Sequence, residues 1–454
     1  MGTTSDSAPR RDLDHHLVVV GGGLAGCEAA WQAARRGAAV RLYEMRPERR
    51  SPAHAGADLA ELVCSNSLRS SQLSNAVGLL KEEMRRLGSL VLAAADASAV
   101  PAGRALAVDR AAFSGFVTGA IESHPRIELR RELVAKIPDD EQVVLATGPL
   151  TASELADELA ARLGAASLYF YDAISPIVYA DSIEPAACFR ASRWEDGPGD
   201  YLNLPLDRAQ YEAFVDALLA AETVPLHPFE KALYFEGCLP IEEMARRGRE
   251  TLAHGPMKPV GLVDPGSGRR PHAVVQLRHE DRRGTLYNLV GFQTKMRIGD
   301  QQRVLRSLPG LGSAVFARYG SVHRNTYVDA PRWLGPALEV RGRPGLRIAG
   351  QLAGVEGYVE SAALGGLAGL FAACAARGLA PPLPPAGTAH AALLRHLEEA
   401  GAAGFQPANV SWGLFPPLSG GPAREPRRDR NRRLAERALA EIDAWSASLA
   451  SGAA

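Results

Sequence analysis

At 454 residues the chain is long enough for two or three domains, and its 46% hydrophobic content is that of an ordinary globular protein, which excludes a fibrous or wholly disordered chain. Lys+Arg and Asp+Glu number 51 each, so no global charge steers the chain to nucleic acid, although a local basic patch is compatible with a neutral protein. The five cysteines (Cys27, Cys64, Cys188, Cys238, Cys374) include no CxxC pair and no metal spacing, and with no signal peptide they predict a reducing, cytoplasmic setting.

Residues 1–15 are polar and charged, and are expected to form a disordered leader. HLVVV (16–20) reads as a buried parallel strand. GGGLAG follows, then a helix ended by Gly37 and a second strand over 38–44. Together they make one βαβ unit of roughly thirty residues. Residues 76–96 read as one helix, and EQVVLATGP near 141 as another buried strand. The next helix starts with Thr151 as N-cap and Glu154 as its capping-box partner. From 168 to 321 strand-like segments dominate, among them LYFYDAISPIVYA and a hairpin through DRRG (281–284). The buried-strand pattern returns in LRIAGQ near 346, before the glycine-rich helix GYVESAALGGLAGLFAACAARG. Helices are expected at 388–400 and 427–448. No stretch is expected to reach the roughly 20 uncharged apolar residues of a membrane span. The expected architecture is α/β. A Rossmann-like FAD-binding domain of the glutathione-reductase type spans 16–167 and 322–454, with a mixed α/β domain inserted over 168–321.

Gly21, Gly23 and Gly26 form G-x-G-x-x-G between a strand and a helix. The first glycine allows a tight turn, the second admits a pyrophosphate close to the backbone, and the third lets helix and strand pack. Gly22, Leu24 and Ala25 complete the loop, whose free N–H groups at the helix start suit phosphate. Glu44, at the end of the next strand, can accept the ribose hydroxyls of an adenosine. The loop alone does not separate NAD from FAD. The turn ATG (146–148) with Gly148, and the late strand ending in Gly350-Gln351, resemble flavoproteins of the glutathione-reductase type. That class has Gly-Asp at the late position, so Gln351 is a departure, and no CxxC pair serves disulfide chemistry. Tyr358, at the start of the following helix, could stack on an isoalloxazine ring or be a core aromatic. Glu356 and Glu360 could form a capping box or touch a flavin, the structural role ranking first.

Longer motifs narrow the reading: YEMRP (43–47), ELVCSNSLRS (61–70), GLLKEEMRRLGSL (78–90), VPAGRALAVDR (100–110), FEGCLPIEEMARRG (235–248), GPMKPVGLVDP (255–265), VVQLRHED (274–281), GTLYNLVGFQTKM (284–296) and GVEGYVESAA (354–363). In this order they resemble the bacterial folate- and flavin-dependent tRNA (uracil-5-)-methyltransferases from residue 16 to the C-terminal helix. More distantly, the chain resembles the flavoprotein subunit that modifies the tRNA wobble uridine. Two departures stand out: SPAHAGAD (51–58), before the first cysteine motif, carries only His54 where the family tends to have two histidines, and FQPAN (405–409) lacks the usual Met.

The resemblance implies methylenetetrahydrofolate as carbon donor, FAD as cofactor and NAD(P)H as reductant. It implies a uridine of the tRNA T loop as target, a 23S rRNA uridine being the alternative; a flavoprotein with a non-catalytic RNA-binding role is the reading outside catalysis. Uracil C5 is a poor nucleophile until a thiolate adds to C6, and a base must then remove the C5 proton. The family's two functional cysteines map onto Cys64 and Cys238, with the division of roles between them left open by the sequence. Cys27, Cys188 and Cys374 read as small buried hydrophobes. His323, Arg324 and Asn325 could contact folate or RNA, or form a junction network. Lys258, Arg278, Lys295, Arg297, Arg303 and the run REPRRDRNRR (424–433) are candidate phosphate contacts, with solvated surface as the ordinary alternative. No obligate protein partner, metal or membrane contact is expected.

Overall fold

The structure is a computed structural model and describes residues 17–51, 53–139, 142–163, 168–195, 197, 199–224, 239–399, 405–419 and 425–451, with backbone only at 168–172, 322–325 and 451. The expected leader and Cys238 lie outside the described residues.

Two sheets organise the chain. The first runs in the order Glu339–Val340, Arg343–Ile348, Val143–Leu145, Leu17–Val20, Val40–Tyr43, Ile127–Arg130. Every pairing in it is parallel except that of Glu339–Val340. Its central strands, Leu17–Val20 and Val143–Leu145, are wholly apolar and buried, as a sheet covered on both faces requires. The helices Leu24–Arg35 and Tyr358–Ala376 pack together on it at very close range. A Cβ on Gly365 would meet the Ala25 carbonyl oxygen at 2.1 Å, and one on Gly369 would meet that of Ala29 at the same distance. The two glycines are four residues apart and so share one helix face.

Tyr358–Ala376 is also long and apolar enough to meet the criterion for a membrane span, with mean hydropathy 1.6, which corrects the expectation that no stretch approaches it. The helix lies in the protein core, where its residues from Val359 to Ala373 are buried almost throughout. Two further expectations are corrected. Residues 76–96 form two helices, Ala76–Arg86 and Leu90–Ala97, because Gly88 adopts a left-handed φ of +71° and Ser89 caps the second by accepting from the Leu92 amide. Both halves bury apolar residues in the same core, so the pattern ran on across the break. Thr151 caps no helix: its hydroxyl donates to the Gly148 carbonyl, the helix begins at Ser153, and Glu154 pairs with Arg49.

The second sheet is antiparallel throughout, in the order Phe189–Arg190, Leu202–Leu206, Ala273–His279, Leu286–Leu289, Ile177–Tyr179, Phe316–Arg318. Asp281–Gly284 joins two of its strands as the hairpin expected there. LYFYDAISPIVYA divides into two strands. Leu168–Ala173 pairs with Val322–Tyr327 in a separate ribbon, and Ile177–Tyr179 enters the second sheet. Helices Arg208–Leu219, Ile241–Arg246 and Ile298–Leu305 cover one face of this sheet around Tyr211, Phe214 and Val304. The other face turns toward the first unit.

Gly369→Ala should lower stability by about 1–3 kcal/mol, the range for overpacking a close contact. Urea unfolding of both proteins measures this, and an unchanged midpoint would contradict the helix contact described here.

Candidate active site

Gly21 takes a left-handed φ of +109°, and a Cβ there would meet the Ala146 carbonyl oxygen at 2.5 Å. Gly26 is held tighter still, its Cβ position 1.7 Å from the Gly21 carbonyl oxygen. In front of Gly23 the space is open, with nothing within 4 Å of a Cβ. Helix Leu24–Arg35 has no side-chain cap at Gly23 and no acid in its first turn, so its first N–H groups are left for an anion. The cleft before this turn, with a cavity volume of about 80 Å³, lies between Gly21–Gly23, Glu44, Arg46, Thr147, Thr151 and Leu155. A cradle that a Cβ would fill, uncapped amides and an open cleft all fit the diphosphate and adenosine of FAD.

Glu44 is buried at the edge of this cleft. It accepts from the Gly22 amide at 2.9 Å and from the Arg46 amide, Nε and Nη2 at 3.0, 2.8 and 3.2 Å. Burial pushes its pKa up, but the bonds and charge of Arg46 outweigh this and hold the carboxyl below its ordinary range. Four donors use about all the lone pairs of a carboxylate, so a ribose hydroxyl would share an oxygen with Arg46. Arg46 also pairs with Glu61 at 3.1 Å. Glu61 in turn accepts from the Ala55 and Gly56 amides. The nucleotide turn is thereby tied to the segment that carries Cys64. His54, bonded to Ser51 Oγ at 2.6 Å, is pushed down to about 4 by burial and by Arg46, and is neutral at pH 7.

Cys64 sits in a short irregular segment held from several sides. The Tyr358 hydroxyl accepts from the Cys64 amide at 2.7 Å and from the Ser65 amide at 3.2 Å. Arg110 donates to the Leu62 and Cys64 carbonyls and pairs with Glu280 at 2.6 Å. Asn66, fully buried, donates to the Val108 and His279 carbonyls and accepts from Arg278 Nε at 3.0 Å. Arg278 Nη2 donates to Ser65 Oγ at 2.8 Å. The following strand, Ser67–Ser70, is kinked where Arg69 takes φ +63°. Its carbonyls at Leu68 and Arg69 accept from Lys81 at 2.9 and 3.0 Å, and the Arg69 guanidinium pairs with Glu360. Glu360 also accepts from the Val410 amide, and Glu356 accepts from Gln351; the helix has no side-chain cap at Gly357, which corrects the capping role expected of these acids.

Among the other expected residues, Gly148 and Gly350 both adopt left-handed turns, at φ +70° and +71°. Tyr358 opens its helix as expected, but its hydroxyl is committed to the Cys64 segment. Arg278 and Lys295 are buried, the first on Ser65 and Asn66, the second against Glu243 at 2.7 Å. This corrects the expectation that they face a phosphate backbone. Arg297 and Lys258 are exposed, and Arg303 is occupied by Asp300. The backbone of His323, Arg324 and Asn325 pairs with Asp172, Tyr171 and Phe170. Cys27 is a core group hydrogen-bonded to the Gly22 carbonyl, its thiol pushed up by burial, and burial likewise pushes Cys188 up to about 11. Sequence reading missed Arg46, Asn66, Lys81, Arg110 and Glu280. One signal was present: in VVQLRHE the polar Gln276, Arg278 and Glu280 alternate with Val275 and Leu277, which marks a second, polar face.

A dinucleotide cradle on a parallel sheet, with a second sheet laid against the segment beside it, defines a flavoprotein of the glutathione-reductase type with an inserted domain. The model of the glucose inhibited division protein A family matches residues 16–380, and the chain belongs to that family. Among its relatives, the methylenetetrahydrofolate–tRNA-(uracil-5-)-methyltransferase TrmFO of Geobacter sulfurreducens is 59% identical over 434 residues, covering 95% of this chain and 99% of the relative. That of Desulforudis audaxviator is 57% identical over 429 residues, covering 94% and 98%. A crystal structure of Aquifex aeolicus GidA shares the fold with a TM-score of 0.68 at 18% identity, over 97% of this chain and 74% of that one.

Lys81 is fully buried, and its pKa is lowered to about 7 by burial and by the charges of Arg69 and Arg85. Below pH 7 both folded and unfolded chains carry the proton and the folded state bears the full cost of the charge. Between pH 7 and the unfolded value of about 10.4 the unfolded chain binds more protons, so stability rises with pH across that window. Lys81→Met should flatten this rise, as urea midpoints at pH 7 and 9.5 would show. Equal pH slopes in the two proteins would rule Lys81 out as its source.

Proposed function

We propose that this chain methylates C5 of uridine 54 in the T loop of tRNA, with methylenetetrahydrofolate as carbon donor, FAD as cofactor and NAD(P)H as reductant. The observation that carries this reading is identity of 59% to a TrmFO methyltransferase over nearly the whole length of both chains. The polar, multiply anchored setting of Cys64 supports it. The reaction belongs to the cytoplasm, where its tRNA substrate is found.

The chain's residues then divide the work. Gly21, Gly23 and the first turn of Leu24–Arg35 bind the diphosphate, and Glu44 and Arg46 shape the adenosine end. FAD, when bound, supplies the reducing electrons and handles the one-carbon unit drawn from folate. Cys64 is the nucleophile: its thiolate adds to uracil C6, and the electron pair of the C5–C6 double bond moves toward O4, making C5 nucleophilic. After C5 bonds to the one-carbon unit, Cys238 removes the C5 proton as the bond from that carbon to its carrier breaks; a hydride, which the reduced cofactor would supply, completes the methyl group, and elimination of the Cys64 thiolate restores the ring double bond. Tyr358, Arg110 and Asn66 fix the backbone of the Cys64 segment, so that the sulfur is positioned before substrate arrives.

The purified protein should be yellow and should form 5-methyluridine in T-loop tRNA only with methylenetetrahydrofolate and a reductant. Cys64→Ser should reduce product at least about a thousandfold, as loss of a covalent nucleophile does, with flavin still bound. Methylation supported by S-adenosylmethionine alone would overturn this function.

A further inference from the structure

The face of the second sheet that turns toward Cys64 carries an ordered row of side chains. Backbone register pairs Arg278 with Asn288, Asn288 with Ile177, and Ile177 with Arg318. Residues paired across strands share a face, so these four lie in one line across four strands. Their neighbours Leu277, Tyr287, Leu289 and Val178 point the other way, into the apolar core of this unit. Arg318 owes its side to a β-bulge. Phe316 pairs with Val178 and packs on the core, and the extra residue Ala317 carries Arg318 across to the opposite face.

The Cys64 segment lies over this row. At one end Arg278 bonds to Ser65 and Asn66. At the other stands Arg318, whose pKa is lowered chiefly by burial and then by the charge of Arg110, with Tyr358, Cys64 and Glu280 acting in the opposite sense. The carboxylate in that group, Glu280, is already bound to Arg110 at 2.6 Å. Asn288 stands between the two arginines, 2% exposed, and its amide nitrogen Nδ2 has no hydrogen-bond partner among the described residues. A buried donor of this kind is costly to leave unpaired. Arg318, a partly buried cation that pairs with no carboxylate among the described residues, is a second such group in the same row.

Uracil presents N3–H flanked by two carbonyl oxygens. A carboxamide complements that edge, its oxygen accepting from N3–H and its nitrogen donating to a carbonyl. The amide alone accepts cytosine equally well after a flip. A cation beside C4 breaks the tie, since it favours a carbonyl oxygen over an amino group. Its hold strengthens once a thiolate has added to C6 and negative charge gathers on O4. Resting on the uridine methylation put forward above, we propose that Asn288 and Arg318 recognise the pyrimidine ring of the substrate, the Asn288 carboxamide pairing with N3–H and a ring carbonyl and the Arg318 guanidinium facing O4.

The test compares wild type with Asn288→Ala, the near-isosteric Asn288→Asp, Arg318→Gln and Arg318→Lys on T-loop tRNA, alongside flavin content and RNA-independent NAD(P)H oxidation. Both Asn288 variants should lose about 10–100-fold in kcat/KM toward tRNA, as expected for one buried hydrogen-bonding group, with flavin content and NAD(P)H oxidation within about twofold of wild type. Arg318→Gln should lower kcat more than it raises KM, and Arg318→Lys should recover part of the loss. Methylation within about twofold of wild type in the Asn288 variants, or a parallel fall in NAD(P)H oxidation that marks a structural role, would overturn the assignment. A wild-type protein that forms no 5-methyluridine would overturn the functional reading and this assignment together, whereas active wild type with equally active variants overturns this one alone.

Discussion

The site depends on one hydrogen-bonded contact, in which the Tyr358 hydroxyl accepts the backbone amides of Cys64 and Ser65. Those residues are separated from Tyr358 by almost three hundred positions, |i−j| being 294 and 293. The contact therefore fixes the cysteine segment to the first residue of a core helix. That helix is itself seated on the nucleotide-binding helix through Gly365 and Gly369, where no side chain intervenes. The position of the sulfur is thus referred, through two rigid helices, to the turn that cradles the cofactor. Burial and the neighbouring Cys64 push the Tyr358 pKa up, so the phenol keeps its proton and acts as a neutral acceptor.

A second chain of contacts closes the same loop from the other side. Glu44 fixes Arg46, Arg46 holds Glu61, and Glu61 holds the amides of Ala55 and Gly56, upstream of Cys64. Buried ionic groups of this kind add little net stability over an apolar packing, but removing one partner strands the other. Their contribution here is geometric: a segment without helix or strand of its own is given one conformation by charges on either side. From the second sheet, Arg278 and the Glu280–Arg110 pair do the same. The cysteine segment is therefore shared between two folding units and belongs fully to neither.

Some of this was legible in advance because it is local. The glycine turn, the strands Leu17–Val20 and Val143–Leu145 and the hairpin at Asp281–Gly284 are set by residues close in sequence, through steric freedom, burial and turn geometry. The break at Gly88 was missed because both halves of that segment feed the same core and keep the same periodicity. Arg278 and Lys295 read as surface cations because a charge is ordinarily solvated, whereas partners that include Asn66, Ser65 and Glu243 make their burial tolerable.

By itself the sequence determined the dinucleotide cradle, since G-x-G-x-x-G between a strand and a helix has few other physical uses, and it singled out Cys64 and Cys238 through long motifs in order. Tertiary structure alone decided what surrounds Cys64. Strand register, which no local pattern specifies across distant segments, sets Arg278, Asn288 and Arg318 on one face. A single extra residue at Ala317 decides that Arg318 shares the face of Arg278 and Asn288 and not that of the core, because a strand's side chains alternate and one insertion reverses them.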